Sequence, residues 1–237
     1  MAALGALVLG LLPDWVAADG GLAPLVGPGI RPPPPWRVIG MPAQRKPLTH
    51  FEVVALNGER VLQVEATRSY GNLVHATLVD GHEHLVLSWR WRVDEGLPAA
   101  DLRRRASEDV PLRVCAMFDL PLSAVPFIER QLLRAVRLGT ADDPPGASVC
   151  YVWDAKLPPG SALSSPFTRR IRYIVLRGPE SSLHAWRAET RDVSADFLNL
   201  FADEATVVPP LIGVAIGADA DNTQGHSLAH VADVALH

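Results

Sequence analysis

Short apolar or alternating runs, separated by turn residues, follow one another from residue 51 to the end of the chain. In order they are FEVVALN (51–57), VLQVEA (61–66), LVHATLV (73–79), HLVLSWRWRV (84–93), PLRVCAMFDL (111–120), ASVCYVW (147–153), IRYIVL (171–176), SLHAWRAETRDV (182–193), LIGVAIGAD (211–219) and HVADVAL (230–236). Runs of this length, rich in Val, Ile and aromatic residues and bounded by Gly, Pro, Asn and Asp, predict β-strands. Asn57-Gly58, between the first two runs, predicts a tight hairpin. About ten strands in sequence, without intervening long helices, predict a β sandwich rather than alternating βα units.

The stretch LSWRWRVD (87–94) has the strongest alternation. A strand sends successive side chains to opposite faces, so Trp89 and Trp91 share one face with Leu85, Leu87 and Val93. Val86, Ser88, Arg90, Arg92 and Asp94 share the other. The tryptophans are expected in the core, where each buries a large area. The arginines then look outward. They can clasp carboxylates with paired N–H groups, or pair with acids on neighbouring strands.

Two segments have helical spacing instead. Ser123 is placed to cap a helix from Ala124 to about Leu138, with Val125, Ile128, Leu132, Ala135 and Val136 along its inner side. Glu129, Arg130, Arg134 and Arg137 would then face water. Ser194 is placed to cap a shorter helix carrying Phe197, Leu200 and Phe201.

The beginning of the chain reads differently. Ala2 to Leu12 is an apolar run too short to cross a bilayer but suited to the core of a signal peptide. Val16-Ala17-Ala18 supplies small residues for cleavage before Asp19. Residues 1–18 are therefore read as a signal peptide, 19–35 as a Gly/Pro-rich linker and 36–237 as a single β-sandwich domain. The location expected is periplasmic or secreted, with the cytoplasm left open because no positive charge precedes the apolar run. No other stretch is long and apolar enough for a transmembrane segment.

Composition narrows the partners. The chain has 237 residues, 48% hydrophobic and 20% charged, with a net charge of −4. Nothing here supplies the basic face a nucleic-acid binder needs. Arg103-Arg104-Arg105, the one dense basic cluster, is read as a solvated loop. Cys115 and Cys150 each sit in a strand-like run, and two readings stay open, a disulfide between neighbouring strands or two small buried side chains.

Taken together, LSWRWRVD, FDLP, YVWD, the TRR before IRYIVL, RDVSADF and ADADNT make residues 36–237 similar to a bacterial family, the domain-of-unknown-function family numbered three-thousand-and-forty-seven. The resemblance implies an exported or envelope-associated, all-β protein. Its fold would be a jelly-roll-like β sandwich of about ten antiparallel strands with one or two short helices, like galactose-binding-like carbohydrate modules. It implies no established activity.

The expected role is binding of a carbohydrate or another cell-envelope ligand on one sheet face, with a glycan or an acidic envelope ligand as the partner. The ligand-binding candidates are Arg90, Arg92, Trp153, Arg169 and Arg170, though Trp153 alternates with Tyr151 and that pair also fits a core. Asp219, Asp221 and Asn222, in GADADNTQG, form a run of oxygen donors suited to a hard cation such as calcium; such residues also cap turns without metal, or could meet a ligand directly at the end of a strand. Signatures of a nucleophile elbow, a P-loop, a zinc helix and a dinucleotide loop are all missing. Two enzymatic alternatives remain, a glycan hydrolase using carboxylates among Asp109, Asp119, Asp154, Glu189 and Asp192, or a lyase using Tyr151 with an Arg and a His. A structural or assembly role in the envelope is the third alternative.

Overall fold

The computed structural model describes residues 21–41, 43–81, 84–138 and 144–237; the signal-peptide reading of residues 1–18 lies outside the described residues. The strands are β1 (Arg37–Ile39), β2 (His50–Leu56), β3 (Glu59–Thr67), β4 (Tyr70–Val79), β5 (Val86–Glu95), β6 (Val110–Phe118), β7 (Ala147–Trp153), β8 (Ala162–Ser164), β9 (Ile171–Arg177), β10 (Arg187–Asp192), β11 (Leu211–Asp219) and β12 (His226–Leu236). They form two sheets, a seven-stranded one ordered β1-β4-β11-β6-β7-β9-β8 and a five-stranded one ordered β10-β5-β12-β3-β2. The molecule is a jelly-roll-like β sandwich, as the runs and the resemblance implied. Each run expected as a strand contains one. β1 and β8 are additions, three residues each and too short to show a period. The run at 182–193 is strand only from Arg187.

Local chemistry accounts for the joins. Asn57 and Gly58 both have positive φ (53° and 85°). That combination is what a two-residue hairpin turn requires, and β2 pairs with β3 across it. One pairing corrects the expectation of a wholly antiparallel sandwich, since β7 and β9 run parallel. The chain leaves β7 at Trp153, comes back through β8, and starts β9 beside the beginning of β7, with Ser148 opposite Ile171. A strand re-entering at that end can only run alongside its neighbour.

The main core lies between the sheets, where Leu87, Trp89, Trp91 and Val93 of β5 meet Leu112, Val114, Ala116, Tyr151 and Trp153 of β6 and β7. Trp89 sits edge-on to Trp91, and Trp91 edge-on to Trp153. A second cluster covers the outer side of the seven-stranded sheet with Leu102, Val110, Val152, Tyr173 and Val175. It is why β6 and β7 read as nearly continuous apolar runs, being buried on both faces. Cys115 and Cys150 stand opposite each other in the β6–β7 register within this cluster and are joined by a disulfide.

Both helices differ in detail from expectation. α1 (Phe127–Leu138) begins three residues later than Ser123 would start it, directly after Pro126, a residue suited to a helix entrance. α2 (Val193–Leu200) is capped by Asp192, whose carboxylate accepts from the Ala195 amide at 2.9 Å. Ser194 serves another purpose, accepting from the Leu85 amide at 3.2 Å and tying α2 to β5.

Residues 21–35 carry no strand but lie against the sandwich. Leu25 is buried in the main core, and the Val53 amide donates to the Ile30 carbonyl at 2.7 Å. The Ala23 amide donates to His75 Nε2 at 2.9 Å, and Trp36 Nε1–H donates to the Ala23 carbonyl at 3.0 Å.

Candidate functional site

The outer face of the five-stranded sheet carries the two arginines that alternation predicted. Its centre is Arg90, flanked in register by Ala188 of β10 and Ala232 of β12, with Ser88 and Arg92 beside it on β5. These small neighbours leave the guanidinium accessible, and the Arg90 side chain keeps 31% of its exposure. It lies 5.1 Å from the Trp186 ring centre, a cation–π contact on an open surface. Glu59 and Asp233 accept from it. Asp233 reaches it because β12 bulges there. Asp233 has φ 54°, a conformation that Asp tolerates better than most residues. Arg92 is less available. It donates to Asp94 at 2.6 Å, and Asp94 also faces His184 at 3.0 Å and His230 at 3.1 Å.

Other expected ligand contacts lie elsewhere. Trp153 is 3% exposed and packs on Trp91 between the sheets, so its face is spent on the core. Arg170 is 5% exposed; it donates to Glu204 at 2.6 Å and to the Gly146 carbonyl at 3.2 Å. Burial takes both out of reach of a ligand. Arg169 is on the surface, paired with Asp203 and apart from Arg90, because it lies in the turn leading into β9, and β9 and β5 belong to different sheets.

Asp219, Asp221 and Asn222 do come together, joined by Asp109. Asp109, Asp219 and Asp221 each bring a carboxylate oxygen within 4.8 Å of the others. Protein groups already engage this cluster. Asp219 accepts from Arg113 at 2.8 Å and from the Val110 amide at 2.6 Å, and Asp221 pairs with Lys46. Burial pushes the Asp219 carboxyl above the usual range, opposed by Arg113. Asp109 accepts from the amides of Asn222 (3.1 Å) and Thr223 (2.6 Å). Asn222 in turn donates its side-chain amide to the Glu108 carbonyl at 3.0 Å. Asp154, another candidate carboxylate, accepts from the Lys156 amide at 2.7 Å. That bond shapes a turn.

Among the described residues, an open depression lies at an edge of the sandwich, where β9 and the loop into β8 meet β10 and α2. It is a cleft of about 310 Å³. Pro159, Ala162, Ile174, Leu176 and Leu200 give it apolar walls, and Arg191, Asp196 and Asn199 give it polar ones. The register explains the polar groups. Arg187, Glu189 and Arg191 stand opposite Trp91, Trp89 and Leu87, so they point inward from an edge strand. Arg191 grips Asp196 with two bonds of 2.9 and 2.6 Å. Beneath them the Tyr151 hydroxyl donates to Asp196 at 2.6 Å, and burial raises the Tyr151 pKa well above its ordinary 10. Next along β10, Glu189 accepts from Trp91 Nε1 at 2.8 Å and from Arg177 at 2.7 Å.

Tyr151 and Glu189 were among the residues weighed for the enzymatic alternatives, and both lie beside the cleft. Arg191, Asp196 and Asn199 were missed. For Arg191 the available signal was the alternation of charges in RAETR (187–191), whose inward direction only the pairing with β5 sets.

Three solved structures and one family model are similar to this chain. The chain is similar to a structure of TmCBM61 in complex with β-1,4-galactotriose, at 8% identity, over 86% of this chain and 88% of that one, TM-score 0.36. It is similar to endoglucanase 3 from Trichoderma harzianum, family GH12, at 9% identity, over 78% and 85%, TM-score 0.40. The xyloglucanase domain of NopAA from Sinorhizobium fredii, in complex with cellobiose, is similar at 6% identity over 86% and 97%, TM-score 0.35. No curated protein matches. A family model described as "Protein of unknown function (DUF3047)" matches residues 34–235.

Proposed function

The chain belongs to the DUF3047 family, and from that premise we propose that it is a cell-envelope protein binding a saccharide in the edge cleft without turning it over. The observation that carries the reading is the lining of that cleft. Apolar walls suit the C–H face of a sugar ring, while the Asn199 amide and the ion-paired Arg191 supply hydrogen-bonding groups at one side. Asp196 and Glu189 are each clasped by an arginine, and Tyr151 sits sealed beneath Asp196. None of the three is placed as a free acid or base, which favours retention over hydrolysis or elimination.

The outer sheet face is a second reading, favoured by the accessible Arg90–Trp186 pair. One experiment separates the two. The full chain is tested on an array of neutral and acidic bacterial glycans, beside Ala162→Trp, Asn199→Ala and Arg90→Ala. Ala162→Trp fills the cleft and Asn199→Ala removes its amide, so both are expected to cut binding about tenfold or more, with Arg90→Ala unchanged. Loss on Arg90→Ala alone transfers the site to the sheet face. A wild-type chain that retains no glycan overturns the reading, and release of shortened glycan makes the protein an enzyme.

Calcium at the Asp109, Asp219 and Asp221 group belongs to the proposal as a structural ion, with Lys46 as the group it would displace. A melting temperature raised by calcium and lowered by chelator supports it; one that moves with neither removes it.

A further inference from the structure

α1 is turned inside out. The sequence pattern expected its apolar stripe inward and its arginines in water. In the fold Arg130 bends back to the Val125 carbonyl (3.2 and 3.0 Å) and Arg137 donates to the Pro144 carbonyl at 3.0 Å. Glu129 also faces the body, accepting from Thr168 at 3.0 Å and lying 3.7 Å from Arg170. Leu133 is the one apolar side chain of α1 that is buried among the described residues.

The stripe left outside is continuous. Ile128, Leu132 and Val136 follow one another at one-turn spacing, with Phe127 beside them. They keep 74%, 57%, 41% and 69% of their exposure. Phe167 extends the patch. It is 52% exposed and adjoins Thr168, whose hydroxyl holds Glu129. Large apolar side chains gathered in this way on an otherwise ordinary surface mark a docking site.

Charge indicates what docks there. α1 carries three arginines and a single carboxylate, Glu129, which faces the body, in a chain whose net charge is −4. Arg134 projects into water from the same helix. Arg105 lies over the Phe167 ring at 5.4 Å, and Arg169, half-exposed and paired with Asp203, stands next to Thr168. An apolar stripe of Phe, Ile, Leu and Val rimmed by arginines, on a helix of modest overall hydrophobicity, has the chemistry of an interfacial helix on anionic lipid. A second copy is less well matched. Five exposed side chains, four on a helix of 12 residues and Phe167 beside them, make a small patch. A stable dimer buries roughly 800 Å² per partner, more than such a patch supplies. The arginine rims of two copies would also face each other.

We propose that α1, with Phe167, rests this protein on an anionic membrane surface. The test is co-sedimentation of the full chain with vesicles of equal parts phosphatidylglycerol and phosphatidylcholine, against phosphatidylcholine alone. The comparison chains are Ile128→Ser/Leu132→Ser and Arg134→Glu. These side chains touch little of the fold, and unchanged melting temperatures verify that both variants are folded. The wild type is expected to sediment with the anionic vesicles and to be released by salt. The double serine variant should partition about tenfold less or weaker still, and Arg134→Glu should bind less than wild type. Absence of sedimentation, or equal sedimentation of wild type and the double serine variant, overturns the proposal. A concentration-dependent dimer in light scattering that the double serine variant abolishes, without vesicle binding, assigns the stripe to a second copy and overturns it too.

Discussion

His75 and His230 are buried on opposite sheets, and both take up a proton less readily than an exposed imidazole. For His75 burial is the main cause, opposed by backbone hydrogen bonding around Ala76; for His230 it is burial, opposed by the Asp94 carboxylate. The unfolded chain therefore binds these protons first as the pH drops. The stability they contribute is complete above the ordinary histidine value of about 6.5 and is lost progressively as pH falls below it toward the folded values. His75 Nε2 also accepts from the Ala23 amide, a bond that requires the unprotonated nitrogen. The melting temperature is expected to fall between pH 7.5 and 5.5, and His75→Gln to flatten that slope. An unchanged slope in the variant would show that His75 does not contribute.

At the scale of elements, β6 and β7 are tied three times over, by their ladder, by the disulfide and by packing on both faces. The disulfide closes a segment of sequence separation 35, so its removal loosens the unfolded chain as well as the pair. Cys115→Ser/Cys150→Ser is expected to lower stability by about 3 kcal/mol in urea unfolding, with a smaller change in any glycan binding, because the cleft lies at the β9–β10 edge. A variant as stable as wild type would mean the two strands hold without the bond. α2 has two functions. Its cap, Asp192, ends β10, and its exposed side brings Asn199 and Leu200 to the cleft.

At the scale of the whole molecule, the segment before Trp36 acts as part of the sandwich. Leu25 and Trp36 close one margin of the main core, and Arg60 reaches back to the carbonyls of Gly27 (2.7 Å) and Gly29 (2.5 Å). A chain shortened to begin at residue 36 is therefore expected to melt at a lower temperature than one beginning at residue 21. Leu25→Ala alone should cost about 2–3 kcal/mol, the usual scale for truncating a buried leucine. Equal melting temperatures for the two chains would return residues 21–35 to the status of a linker. Among the described residues no helix is long and apolar enough to cross a membrane, so the lipid contact proposed for α1 is one of a helix lying on the surface.

Alternation along the chain determined which runs become strands and, in LSWRWRVD, which side of the strand enters the core, because a period of two is a property of the extended backbone itself. Asn57-Gly58 determined its hairpin for the same local reason. Strand order is a long-range matter. It pairs β5 with β10 from far along the chain, and only that pairing turns Glu189 and Arg191 inward beside α2 to make a cleft. The same holds for α1. Its amphipathic period fixes that it has an apolar side, whereas Glu129, held by Thr168 and Arg170, and Arg130 and Arg137, held by the Val125 and Pro144 carbonyls, set which side faces out.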